Sequence, residues 1–293
     1  MPERISHVER IAHAKINLAL HVTGQREDGY HLLDSFVVFT EFGDVVSVSE
    51  ASNPSSLVNL KIDGPFCDGL DNGANNLVSR AALSLGYEIT KHSGKPTPVE
   101  IKLTKNLPIA SGIGGGSADA AATLLALNAF WNSEVDLMPI AKTLGADVPM
   151  CLHSIPLRAQ GVGDEITLFE TQKPFHMVLV NPNVEVSTPS IFKRLTNKEN
   201  ASMFAENITA MPSLSQIKNL RNDLQIPAFE IEPAIQDVLN AISKTNAQLT
   251  RMSGSGATCF GLYEDLQKAK IAAKYIQAQN PNWWCIATTT TVS

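Results

Sequence analysis

Between residues 111 and 117 the chain reads Ser-Gly-Ile-Gly-Gly-Gly-Ser, and it runs straight into an Ala/Leu-rich stretch from Ala118 to Asn128. Four glycines in five positions disfavour helix and strand alike, because glycine loses the most backbone freedom on ordering. They suit an anion cradle, since N–H groups unobstructed by side chains can meet on one phosphate. The Ala/Leu run is a strong helix former, so the loop feeds a helix N-terminus, where partial positive charge and unpaired N–H groups gather. Upstream, Val99 to Thr104 alternates with period two and predicts a strand. Strand, glycine loop and helix in that order make an arrangement for holding polyphosphate. The plain alternative is a flexible turn ahead of a helix, which has little need of four glycines.

What the loop lacks narrows the choice. A Walker A loop requires Lys-Ser or Lys-Thr after its last glycine, and here Ser117-Ala118 follows. A dinucleotide fingerprint begun at Gly112 and Gly114 would need glycine where Ser117 stands. The His-Arg-Asp and Asp-Phe-Gly strings of protein kinases are absent.

With 293 residues the chain is long enough for one large domain or two, and 44% hydrophobic against 18% charged residues gives it a sizeable core. Acidic residues outnumber basic ones, 29 to 23, which argues against nucleic acid as a partner, since that requires basic surface. No apolar run approaches the roughly 20 residues of a membrane span, and the opening Met1 to Arg10 lacks the apolar core of a signal peptide. Cys67, Cys151, Cys259 and Cys285 stand far apart without a C-x-x-C pair, and the histidines show no H-E-x-x-H spacing. These features predict no thiolate metal site and free thiols in a reducing compartment. The expectation is a cytoplasmic protein, monomer or homodimer, with no membrane and no nucleic acid among its partners.

Ile11 to Val22 reads as a strand, with turn signals at Thr23-Gly24 and Asp28-Gly29. Ser35–Thr40 and Asp44–Ser49 are β-rich, and Gly43-Asp44 between them predicts a hairpin. Asn76–Gly86 and Leu137–Leu144 predict helices, the second stopping at Gly145. Pro156, Gly161 and Gly163 interrupt the pattern, giving an N-terminal domain over 1–160 and a C-terminal one over 161–293. Beyond them come a strand at His176–Val180, a polar helical stretch to about Leu224, and a helix at Pro233–Ser243. Strands at Ala247–Thr250, Thr258–Tyr263 and Trp284–Thr290 follow, with a helix at Leu266–Ala278. Strands and helices without strict βαβ alternation predict an α+β protein.

Three strings, Ala14 to Val22, Gly24-Gln-Arg-Glu-Asp-Gly-Tyr-His-Leu32 and Pro108 to Ser117, resemble the GHMP kinase superfamily. Gly145-Ala-Asp-Val-Pro149 and Met252-Ser-Gly-Ser-Gly-Ala-Thr258 add further blocks in the superfamily's order. The Asp-Gly-Tyr-His string resembles more particularly the branch acting on 4-diphosphocytidyl-2-C-methyl-D-erythritol. Homoserine, mevalonate and galactose kinases share versions of the other blocks, and a nucleotide-binding regulator that has lost catalysis is the alternative from a different class.

The resemblance implies two domains with the active site in the cleft between them. It implies ATP-dependent phosphorylation of the substrate's 2-hydroxyl, in the non-mevalonate route to isoprenoids. The ATP loop is then Pro108, Ile109, Ala110, Ser111, Gly112, Ile113, Gly114, Gly115, Gly116, Ser117 and Ala118. Many relatives carry a second Ser where Ala118 stands, which confines any loop hydroxyl ligand to Ser117. Lys15 and Asp147 become the catalytic pair, Asp147 as general base and Lys15 holding Asp and hydroxyl in line. Direct transfer without a base is the alternative. On the residues alone, Lys15 is equally an edge-strand lysine and Asp147 a turn cap. Asn17, on the same strand face as Lys15, either bonds the substrate hydroxyl, orients Asp147 or is satisfied within the fold. Tyr30, His31 and Phe192 match the base-binding positions, with Tyr30 and Phe192 as the two faces of a sandwich. Mg²⁺ is expected with ATP, although no carboxylate pair announces a protein metal cage. A β-carbon at Gly115 is expected to intrude on the phosphate site and to resist a positive-φ conformation.

Overall fold

Two strands far longer than the rest organise the chain. They are β1 (His7–Gln25) and β2 (His31–Glu50), which pair with each other. The turn between them is the one Asp28-Gly29 predicts: Arg26 N–H donates to the Tyr30 carbonyl at 2.8 Å, and Gly29 takes a φ of +90°. The predicted hairpin at Gly43-Asp44 does not form, and β2 runs straight through it. A Cβ at Gly43 would collide with the Ala12 carbonyl oxygen. The glycine therefore admits the backbone of β1 rather than turning the chain.

The computed structural model describes residues 6–52, 56–92, 94–204, 208 and 210–292. After the long strands come β3 (Val58–Asp63), α1 (Leu77–His92), β4 (Val99–Thr104), α2 (Gly115–Phe130), α3 (Leu137–Leu144) and α4 (Val148–His153). Next are β5 (Leu157–Gly161), β6 (Glu165–Leu168), β7 (His176–Asn181), α5 (Thr188–Arg194), α6 (Leu214–Lys218) and α7 (Gln225–Ile231). The chain continues with α8 (Ala234–Ser243), β8 (Leu249–Met252), β9 (Cys259–Tyr263), α9 (Leu266–Gln279) and β10 (Trp284–Thr289). The predicted polar helical stretch is thus broken into short helices, and its residues 205–207 and 209 lie outside the described residues.

The chain divides into two compact units that are not contiguous in sequence. One holds the chain up to Ala14, Gly43–Leu107 and Gly115–His153; the other holds Lys15–Phe42, Pro108–Gly114 and the chain from Ser154 onward. The sequence cut at 160/161 falls within β5, and both long strands contribute residues to both units.

In the first unit β4 runs parallel to β3 and antiparallel to the second half of β2, with Val45 opposite Thr104 and Glu50 opposite Val99. Helices α1 to α4 pack together on one another. Helix α2 is apolar almost all round, and its residues from Ala118 to Leu124, with Ala126 and Leu127, are buried. A helix of that kind belongs at the centre of a bundle. Helix α1 outruns its prediction, because Gly86 is a packing point rather than an end: a Cβ there would stand 2.7 Å from Leu57 Cδ2.

In the second unit the first half of β2 pairs with β5, from Leu33 opposite Gly161 to Val37 opposite Leu157, and β5 pairs with β6. A separate antiparallel sheet has the order β10-β7-β9-β8. Its core joins Val178 and Val180 of β7 to Ile235, Val238 and Ile242 of α8, to Ala272 and Ile276 of α9, and to Leu20 and Val22 of β1.

Candidate active site

The glycine loop begins in the second unit. Ala110, Gly112 and Gly114 take φ values of +50°, +73° and +68°, and this alternation turns successive peptides. Three consecutive carbonyls are then tied to protein: Ser111 accepts from Thr258 N–H at 3.1 Å, Gly112 from the Ser253 hydroxyl at 3.1 Å, and Ile113 from Lys15 N–H at 2.9 Å. In a trans peptide C=O and N–H point in opposite directions. The N–H groups of Gly112, Ile113 and Gly114 therefore face away from the groups that hold those carbonyls, as an anion cradle requires. A Cβ at Gly112 would stand 2.6 Å from the carbonyl oxygens of Ser253 and Gly256. At Gly114 it would stand 3.1 Å from Lys15 Cβ, so this glycine makes room for the lysine stem.

Lys15 and Asn17 are buried on one face of β1. Asn17 N–H donates to Ser253 Oγ at 3.1 Å, and the same hydroxyl donates onward to the Gly112 carbonyl. The Asn17 side chain donates from Nδ2 to Ser35 Oγ at 2.6 Å, while its Oδ1 is buried without a hydrogen-bond partner. The Ser253 turn is held in turn by Asn222, whose Nδ2 donates to the carbonyls of Met252 and Gly254, both at 2.8 Å.

The loop continues in the first unit as the start of α2. Behind Gly115 lies a buried cluster that sequence reasoning missed. The Lys105 ammonium donates to Asp119 Oδ2 at 2.7 Å and to Asp44 Oδ2. Asp44 Oδ1 also accepts the N–H groups of Asn106 and Leu107, at 2.5 and 2.8 Å. One cation thus faces two carboxylates. Burial, with Asp44 adding repulsion against the pull of Lys105, pushes Asp119 up to about 8. Burial opposes the charge on Lys105, yet Asp119 and Asp44 outweigh it and hold its pKa above the usual lysine value. Asp147, half-buried, is the residue immediately before α4, and its carbonyl accepts from Cys151 N–H at 3.2 Å.

At the predicted base-binding positions, Tyr30 is 67% exposed beside the β1–β2 turn. Phe192, on α5, stacks on His31, with ring centroids 4.5 Å apart and planes 24° apart. Burial, then the charge of Lys198, lowers the His31 pKa, and its Nε2 is buried without a partner. A neutral imidazole with an unmet nitrogen is suited to the edge of a base. Arg158 grips Asp34 with two hydrogen bonds of 2.7 Å, and Asp34 also accepts Met203 N–H at 2.8 Å. This buried pair fixes the 197–203 segment, whose Asn200 side chain donates to the Val22 carbonyl.

Residues 76–154 match the GHMP kinases N terminal domain, and residues 194–282 match GHMP kinases C terminal. The chain is 50% identical over 283 residues to the 4-diphosphocytidyl-2-C-methyl-D-erythritol kinase of Ruegeria pomeroyi, covering 95% of this chain and 97% of that protein. The chain belongs to this family of GHMP kinases. The protein of the same name in Sinorhizobium medicae is 46% identical, over 95% of this chain and 94% of its own. The crystal structure of a 4-(cytidine 5'-diphospho)-2C-methyl-D-erythritol kinase superposes with a TM-score of 0.79 at 32% identity, covering 98% of this chain and all of that one. A homoserine kinase from Cytophaga hutchinsonii, at 18% identity and a TM-score of 0.69, shares the fold.

Within the second unit, the structure of this GHMP kinase brings together Lys15, Asn17, the first half of the glycine loop and the Ser253 turn. His31 meets Phe192 there. The first unit holds Gly115 to Ala118 and Asp147. Lys105, Asp44 and Asp119 went unnoticed because they are 14 and 61 residues from one another in pairs. The one signal was Asp119 itself, a carboxylate within an otherwise apolar helix run. Among the described residues, no group of three or more His, Cys, Asp or Glu is placed to hold a metal ion, and no helix is long and apolar enough to cross a membrane.

Proposed function

We infer that the chain transfers the γ-phosphoryl group of ATP to the 2-hydroxyl of 4-diphosphocytidyl-2-C-methyl-D-erythritol, in non-mevalonate isoprenoid precursor synthesis. The observation that carries the reading is the glycine loop. Its carbonyls are spent on protein partners and its N–H groups are turned the other way, on a chain that matches kinases of this name over nearly their full length. In this reading Pro108 to Ala118 cradle the nucleotide phosphates. Mg²⁺ enters with the nucleotide as MgATP, and Ser117 in the first turn of α2 is the loop hydroxyl suited to meet it.

The 2-hydroxyl oxygen attacks the γ-phosphorus as the bond to the β,γ-bridging oxygen breaks, leaving ADP. Asp147 takes the hydroxyl proton, and Lys15 supplies positive charge to the transferring group. Asn17 meets a hydroxyl of the erythritol end, while Tyr30, His31 and Phe192 receive the cytosine. ADP release assayed with the cytidyl substrate, homoserine, mevalonate and galactose tests the reading. Turnover should be confined to the cytidyl substrate, and Asp147→Asn should lower kcat by about 10²–10⁴-fold. Equal turnover of another acceptor would refute the substrate assignment, and near-normal kcat in a folded Asp147→Asn variant would refute the base.

A further inference from the structure

Ser35, on β2, has one hydroxyl proton, and it is committed to the Ala19 carbonyl oxygen at 2.8 Å. Towards Asn17, 2.6 Å away, the serine oxygen can therefore only accept. The amide must turn its NH₂ to Ser35, which sends Oδ1 to the opposite side. There Oδ1 is buried and unpartnered, beside the point where a Cβ at Gly254 would stand, 3.3 Å away. A buried acceptor left without a donor is costly and rare in native proteins. The Asn17 backbone is pinned as well, since its N–H bonds Ser253 Oγ. Only the rotation of the amide about χ2 remains free in principle, and such terminal torsions are soft.

We propose that Ser35 is a positioning residue for phosphoryl transfer: it locks the Asn17 amide so that Oδ1, and not the NH₂, is offered to a hydroxyl hydrogen of the acceptor substrate. The inference rests on the reading above that Asn17 meets the erythritol end. A flipped amide would present two donors to a hydroxyl group, taking up oxygen lone pairs and leaving the hydroxyl hydrogen without an acceptor. The lock is made of neutral groups, so it holds its direction across the working pH range. It acts on the acceptor and not on the nucleotide.

The test is steady-state kinetics on Ser35→Ala, Asn17→Ala and the double variant, varying each substrate in turn. Ser35→Ala should lose about tenfold in kcat/KM for the cytidyl substrate, with the KM for ATP within about twofold of the parent. In the Asn17→Ala background, Ser35→Ala should cost nothing further, since the group it orients is gone. Undiminished kcat/KM in Ser35→Ala, or a loss that multiplies in full with that of Asn17→Ala, overturns the proposal while leaving the role of Asn17 intact. An unimpaired Asn17→Ala overturns both the proposal and the reading beneath it. If Ser35→Ala does not fold, Ser35→Cys, of similar size but a poor acceptor, is judged by the same criteria.

Discussion

The two ends of the glycine loop are anchored by opposite chemistry. The stretch from Ser111 to Gly114 is tied by neutral groups: two backbone N–H donors and the Ser253 hydroxyl. The stretch that opens α2 lies against a buried ammonium and two carboxylates, with Lys105 Nζ 3.6 Å from a Cβ built at Gly115. Neutral hydrogen bonds are each modest in net effect and indifferent to pH, so the first arrangement fixes direction. Buried ions are strong, expensive to desolvate and costly to break singly. The second arrangement therefore holds elements together, joining β2, the end of β4 and the first turns of α2, and it carries a titration with it.

Removing the cation should produce the largest effect on stability. Lys105→Met leaves the Asp44–Asp119 pair, with its one proton, buried without its counter-ion, which should cost about 3–5 kcal/mol. Urea unfolding at neutral pH measures it. A loss below about 1 kcal/mol, the size of a surface ion pair, would mean that the ionic end is no stronger an anchor than the neutral one.

The proton on Asp119 gives a smaller effect of definite sign. Its pKa is pushed up to about 8 by burial and by Asp44, far above that of a carboxylate in the unfolded chain. Between those two values the folded protein holds a proton that the unfolded chain has lost. Stability must then fall as pH rises through that window, by at most about 1.4 kcal/mol per pH unit for a single group. Asp119→Asn removes the titrating group and leaves the Lys105–Asp44 pair, so this slope should flatten between pH 5 and 8. Parallel curves for parent and variant would show that the shared proton resides elsewhere.

The sequence exposed the neutral end of the loop far better than the ionic one. Glycine spacing, the strand before it and the Ala-rich helix after it are local signals, and each was legible because propensity and periodicity act over a few residues. The Ser253 block was legible as a second glycine turn. Its hydroxyl bridge from Asn17 N–H to the Gly112 carbonyl was not, because the sequence separations are 236 and 141 residues. Gly43 was misread for a related reason: a glycine in a β-rich run signals a turn or a close backbone approach, and only the path of β1 past Ala12 decides which. Lys105 follows an alternating strand and looks solvated in sequence, because nothing local reveals that two acids arrive from β2 and α2. His31 lay in the recognised string, but its stacking on Phe192 depends on where α5 comes to rest.

The smallest effect on stability, and the sharpest separation of the two ends, should come from adding one carbon at Gly115. Sequence reasoning expected a side chain there to be resisted by the backbone as well as by phosphate. Gly115 is instead the first residue of α2 and has no positive φ. A Cβ would meet Lys105 Nζ, Asp44 Oδ2 and Leu107 Cδ1 at 3.6, 3.7 and 3.8 Å, which are ordinary contacts. Gly114, its neighbour, has a φ of +68° and lies against the Lys15 stem, so Gly114→Ala strains both the backbone and the lysine. Gly115→Ala should leave thermal stability unchanged or raise it by up to about 1 kcal/mol, alanine being the better helix residue. On the proposed reading its only substantial loss should be in ATP affinity, measured by titration calorimetry, because the methyl adds bulk at the first turn of α2 beside the phosphates while its contacts with Lys105, Asp44 and Leu107 are ordinary ones. A destabilised Gly115→Ala would show that the ionic cluster has no room to spare, and undiminished ATP affinity would move the phosphates back towards Gly112 and Gly114.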